Sequence, residues 1–217
     1  MRPIYLLRLV LAGLSTIPCI PALCQKDLPA EDIHASLIPG KKKSLVAYSG
    51  SNCSFTMDVV AKTAKPSDIP GFVTVEGQIV QSTLVPAQQT AEHHSPGPPR
   101  MTPAREQEIL TNYMNYELGY YKKKLKQKYT GLQSEWITIK DRLFLIWYFD
   151  MPKDYKLVSR QLYFSTLLSG QVLDLNAPVF KMDQYNKARA ILLRLAHSLK
   201  TYDKPIDLAA LGKQMNK

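Results

Sequence analysis

Cysteine, histidine and long apolar runs are all scarce in this chain of 217 residues, and each scarcity removes a class of function. Two of the three cysteines, Cys19 and Cys24, fall in the first 24 residues, so Cys53 stands alone in the rest and no internal disulfide can staple it. Burial alone has to hold the fold. Of four histidines only His93 and His94 adjoin, and they sit in a proline-rich segment with no cysteine close by to complete a metal shell. Beyond the N-terminus no apolar run approaches the length that a helix needs to cross hydrocarbon. A glycine-rich phosphate loop, a paired-histidine metalloprotease helix and a serine nucleophile elbow are missing too. The chain carries no legible catalytic signature and implies no cofactor.

What is present begins with a leader. Arg2 and Arg8 precede an apolar stretch from Leu9 to Ile17, and Pro21-Ala22-Leu23-Cys24-Gln25 follows. A positive start, a short apolar centre and small side chains at Ala22 and Cys24 read as an export signal over residues 1–24, cut before Gln25. The competing reading is lipid anchoring at Cys24, but Leu23 and Pro21 stand where lipoprotein processing wants a small and a Leu-like residue. The expected location is periplasmic or extracellular, with no transmembrane span once the leader is gone. A formal charge of +10 favours anionic partners, a lipid headgroup or a polysaccharide ahead of nucleic acid. The lysines cluster at 41–43 and 122–124, the second run extended by Lys126 and Lys128, and the ordinary reading of such runs is a solvated face.

Residues 25–43, with Pro29 and Pro39, read as an arm or one short helix. Strand-forming residues then fill Leu45–Tyr48 and Phe55–Val60, with Cys53 expected as a small buried hydrophobe. Asp68-Ile69-Pro70-Gly71 is turn chemistry, and Phe72–Val85 makes one strand or two broken at Gly77. The segment 86–103, rich in proline, cannot bury enough apolar surface to fold and is expected to be a mobile loop. Thr102-Pro103 supplies a cap and a first-turn proline for a long helix to about Tyr129, whose inward face carries Leu110, Met114, Leu118, Tyr121, Leu125 and Tyr129.

After Gly131 the period changes to two. Trp136–Ile139, Arg142–Phe149, Leu157–Leu168 and Gln171–Leu175 form a four-stranded antiparallel meander joined by short turns. In the second strand Leu143, Leu145, Trp147 and Phe149 share one face and Phe144, Ile146 and Tyr148 the other, so both faces should be covered. A closing helix begins at Asp183 and carries Ala188, Ile191, Leu192, Leu195, Leu199 and Tyr202 inward, with Asp203-Lys204-Pro205 ending it. The tail, 204–217, reads as a short, weakly held helix. The fold class is α+β, an antiparallel sheet with a long helix and a C-terminal helix packed on it.

Asp150-Met151-Pro152 between two strands, Gln161-Leu162-Tyr163-Phe164 inside the third and Val172-Leu173-Asp174-Leu175 before the last helix resemble the PsbP and DcrB-like superfamily. The resemblance spans residues 44–203 and rests on element order. It implies a binding or accessory role and no common active site. The proline-rich insertion and the lack of a lipobox depart from that pattern.

Tyr113, Tyr116, Tyr120, Tyr121 and Tyr129 cannot all face inward at helical spacing, so some phenols should lie beside lysines. That marks Tyr120, Lys122, Lys123, Lys124, Lys126 and Lys128 as a candidate partner surface. Asp150 and Asp154 flank a hairpin and could in principle act as acid and base, although a solvated turn is the ordinary explanation. The sequence-based expectation is an exported, non-enzymatic accessory or binding protein of the bacterial envelope, its partner an envelope protein or an anionic surface. The alternative is an envelope enzyme acting on an anionic polymer. A polar pocket with converging carboxylates would favour the enzyme and a closed apolar sandwich the binder.

Overall fold

The computed structural model describes residues 35–60, 64–67, 71–87, 101–123, 128–153, 155, 157–180 and 184–217. The leader with its cut site, His34, His93-His94, the turn at 68–70, most of the proline-rich segment, Lys124, Leu125, Lys126, Asp154 and Asp183 lie outside the described residues. Among the described residues eleven strands form two antiparallel sheets: β1 (Ser36–Ile38), β2 (Ser44–Ser49), β3 (Ser54–Val59), β4 (Lys65–Pro66), β5 (Phe72–Val75), β6 (Gln78–Pro86), β7 (Thr130–Ile139), β8 (Arg142–Asp150), β9 (Arg160–Leu168), β10 (Gln171–Val179) and β11 (Lys200–Tyr202). Three helices accompany them among the described residues, α1 (Pro103–Lys123), α2 (Tyr185–Ser198) and α3 (Leu208–Met215). The small sheet runs β1-β2-β3-β11 and the large one β4-β5-β6-β10-β9-β8-β7, with the expected meander intact as β7 to β10. No described helix is long and apolar enough to cross a membrane.

Alternation along the central strands builds the layers. In β8, Phe144 and Ile146 join Phe164, Leu173 and Leu175 in a core shared with Val46, Tyr48, Phe55 and Met57 of the small sheet and with Ala188, Ile191 and Leu192 of α2. The intervening Leu145, Trp147 and Phe149 turn to the opposite face, where Leu110, Tyr113, Leu118 and Tyr121 of α1 cover them. Each fully buried side chain of this size contributes roughly 1.5–3 kcal/mol. Leu208, Leu211 and Met215 of α3 close the outer face of the small sheet over Ile38, Leu45 and Ala47. Cys53 is fully buried, in keeping with a small apolar role.

Several expected boundaries move. Residues 36–38 form strand β1 rather than helix, and Gly77, at φ 79°, does break the long N-terminal strand into β5 and β6. The described helix α1 stops at Lys123, and Tyr129, expected on its inward stripe, instead packs on Phe149 at 5.1 Å just before β7. Tyr113 takes a buried place on α1 that the expected stripe did not give it. Helix α2 ends at Ser198, so Leu199 and Tyr202 are not helical; Lys200–Tyr202 pairs with the open edge of β3, a tertiary contact that overrides the apolar helical spacing. The meander strands also differ in extent: β7 starts six residues before Trp136, β9 starts three after Leu157, and β10 runs on past Leu175 to Val179.

The two edges of the large sheet are unlike. One is the two-residue strand β4, which contains Pro66; the other is β7, ten residues long and exposed from Thr130 to Trp136. A bulge between Thr130 and Gln133 bends β7 where Gly131 adopts φ 61°. The positive φ at Gly131 suits glycine, and a Cβ there would lie 2.6 Å from Asp150 Oδ2, so that carboxylate would have to shift for any other residue.

Candidate functional site

The start of α1 is written in its first residues. Thr102 Oγ1 accepts the Arg105 backbone N–H at 3.2 Å, Pro103 occupies the first turn, and Lys122 and Lys123 lie in the last turn, where cations suit the helix dipole. The helix therefore begins and aims as the sequence dictates, and Tyr113, Glu117 and Tyr121, spaced by four, fall on one stripe over the sheet.

Below that stripe lies Asp174. Its strand neighbours Leu173 and Leu175 point into the apolar core, which leaves the carboxylate on the α1 face, 1% exposed. Ser165, paired with Asp174 across β9 and β10, donates to its Oδ1 at 2.7 Å, and Asn176 Nδ2 donates to Oδ2 at 3.1 Å. Tyr113 supplies a third hydrogen bond from α1. The Trp147 Nε1–H in turn donates to Ser165 Oγ at 3.2 Å, so indole, hydroxyl and carboxylate form a chain across β8, β9 and β10. Tyr163 stacks on Trp147, ring centroids 3.8 Å apart and 4° from parallel, and its hydroxyl lies 3.0 Å from that of Tyr121.

Burial sets the electrostatics. Withdrawal from water raises the Asp174 pKa to about 6, against the opposing pull of its hydrogen bonds from Ser165, Asn176 and Tyr113. Glu117 is raised to about 7, first by burial and then by the Asp174 charge. Burial also drives the Tyr113 and Tyr163 phenols well above their ordinary range, so both stay protonated hydrogen-bond donors. Two carboxyl groups thus share one enclosed region and hold protons more tightly than free acids do. Beside Tyr113 a shallow cleft lined by Val85, Ile109, Asn112, Tyr116 and Val172 opens to solvent.

The sequence did not single out Asp174 or Glu117. A signal existed: Asp174 is the one charged residue in a nine-residue strand that has neighbours on both sides. Asp150 is held by Arg160 at 2.8 Å, with the guanidinium over the Tyr148 ring, and its suggested partner Asp154 lies outside the described residues. Among the described residues no three His, Cys, Asp or Glu side chains gather as a metal shell requires.

Of the expected partner surface, Lys122 and Lys123 are exposed at the end of α1 and Lys128 is exposed two residues ahead of β7. Lys124 and Lys126 lie outside the described residues. Tyr120 is partly covered, its pKa raised by burial and by the nearby Glu117 and Tyr116, so it borders the buried carboxyl region. In the first lysine run, Lys43 is tied to Asp58.

No protein-family model matches the chain, and no curated protein matches it. Among solved structures it is similar to the solution structure of cyanobacterial PsbP (CyanoP) from Synechocystis sp. PCC 6803, at a TM-score of 0.39 and 11% identity, over 84% of this chain and 99% of that one. A likeness at that level carries no argument about site or partner, and the family resemblance stays at the level of element order.

Proposed function

We propose that the chain is an exported, non-enzymatic accessory or binding protein of the bacterial cell envelope, and that the lysine-bearing end of α1 meets an anionic surface. One observation carries this reading. The carboxyl groups that converge at Asp174 and Glu117 lie beneath α1, with Asp174 already hydrogen-bonded by three partners, while Lys122, Lys123 and Lys128 face water. Export rests on the leader at residues 1–24, and the anionic partner on the basic excess. Co-sedimentation with vesicles of anionic phospholipid, and separately with an acidic polysaccharide, tests it. Binding to one of them should weaken with salt and fall several-fold when Lys122, Lys123 and Lys128 are replaced by glutamine. Binding to neither, or binding indifferent to these lysines, would refute the proposal.

A second reading draws on a specific feature, the two raised carboxyl pKa values, since acid–base catalysts are tuned in the same way. Hydrolysis of an acidic polysaccharide that disappears in Asp174→Asn would favour an enzyme over the binder.

A further inference from the structure

The outer edge of β7 is the most open pairing edge among the described residues. Edge strands of folded proteins are usually blunted by shortness, proline or charge, because their unpaired backbone groups template another strand. The other three edges here obey this rule: β4 has two residues, one of them proline, and β1 and β11 have three each. β7 does not. It is ten residues long, contains no proline and carries one charge, Glu135, which Arg189 of α2 holds at 2.8 Å.

Its side chains define a face. Ser134 and Trp136 stand opposite Trp147 and Leu145, both of which point to the α1 side, so Ser134 and Trp136 point there as well. Leu132, two residues before Ser134, falls on the same side by alternation. Leu132 and Trp136 are 39% and 38% exposed, an apolar pair that β7 leaves to water.

We propose that β7 pairs antiparallel with β7 of a second copy of this chain, centred on Ser134, to give one continuous sheet across the dimer. A two-fold axis perpendicular to the sheet preserves its faces, so the centre must fall on a residue and opposed side chains lie on the same side. Centring on Ser134 sets Leu132 opposite Trp136 twice and Gln133 opposite Glu135 twice, all within the regular part of β7 that follows the bulge. Apolar meets apolar, and the carboxylate meets an amide that can donate to it. Centring on Glu135 instead opposes two carboxylates and sets Trp136 against Ser134. Centring on Gln133 sets Leu132 against Ser134 and carries Trp136 onto the bulge. The exposed apolar pair and the lone charge select one register, and that self-complementarity identifies the occupant as a second copy rather than an unrelated strand. The bulge next to Gly131 interrupts the regular strand at each end of the pairing, which limits the ladder to residues 132–136.

Sedimentation velocity of the full chain at rising concentration tests the proposal, with folding of each variant checked by circular dichroism. The wild type should pass from monomer to dimer. Ser134→Lys and Ser134→Glu, each opposing its own charge across the axis, should weaken dimerisation about tenfold. An equimolar mixture of the two variants should recover it as a heterodimer. Hydrogen exchange in the wild type gives a check free of substitution, since the amides of residues 132–136 should slow as the dimer forms. A wild type that stays monomeric at all concentrations, a dimer indifferent to either Ser134 variant, or a mixture that fails to recover would overturn the proposal.

Discussion

The two faces of the large sheet solve the same burial problem with different chemistry. Facing the small sheet and α2, the strands present Phe144, Ile146, Phe164, Leu173 and Leu175, an interior of hydrocarbon and rings. Facing α1, the same strands present Trp147, Tyr163, Ser165 and Asp174, met by Tyr113, Glu117 and Tyr121 from above. Hydrocarbon packs in many ways at similar energy, whereas a buried carboxylate with three donors is satisfied in one arrangement. The first face therefore supplies most of the stability, and the second fixes where α1 sits.

The largest test of that contrast lies on the apolar face. Phe164→Ala should destabilise by roughly 3–5 kcal/mol, because it removes a fully buried ring from a core closed on both sides. Urea denaturation would read the change, and a loss below about 1 kcal/mol would mean that the face is loosely packed.

On the polar face, Asp174→Ala should cost about 2–4 kcal/mol, since it strands the Ser165, Asn176 and Tyr113 donors without an acceptor. Trp147 reports the site through its link to Ser165, so its fluorescence should shift in this variant and stay unchanged in one made on the small sheet. A silent indole would show that the network does not hold the stacked rings in place.

A further effect depends on pH, and its sign follows from the raised values. Asp174 and Glu117 hold protons more tightly when folded, at about 6 and about 7, than at their ordinary values of 3.8 and 4.5. Their contribution is fully present below about pH 4 and is lost as pH rises through about 7, the sign that a raised folded-state pKa dictates. Glu117→Gln should flatten a large part of that slope in urea titrations at pH 5 and pH 8. An unaltered slope would place Glu117 in water rather than at the buried carboxyl region.

How much of this could be read beforehand differs between the same two faces. The two-sided apolar pattern of β8 and the cap at Thr102-Pro103 are local signals, and the sheet core and the start of α1 follow from them. β11 could not be read, because Leu199 and Tyr202 continue the helical spacing and only the free edge of β3, distant in sequence, draws Lys200–Tyr202 into a strand. The carboxyl region was hidden for a related reason. Asp174 becomes unusual only once its strand is known to be interior, and Glu117 looks like any surface acid of a helix until the Tyr113–Tyr121 stripe is seen to face down. The lysine run was legible as composition, and Lys122, Lys123 and Lys128 are exposed, but the place of Tyr120 beside Glu117 needed the fold.

Cys53 offers one more consequence. Sealed at the start of β3 between the small sheet and the shared core, its sulfur can meet an alkylating reagent only when that layer parts. The rate of thiol labelling under native conditions thus becomes an internal clock for how often the two sheets breathe apart, one that needs no engineered probe.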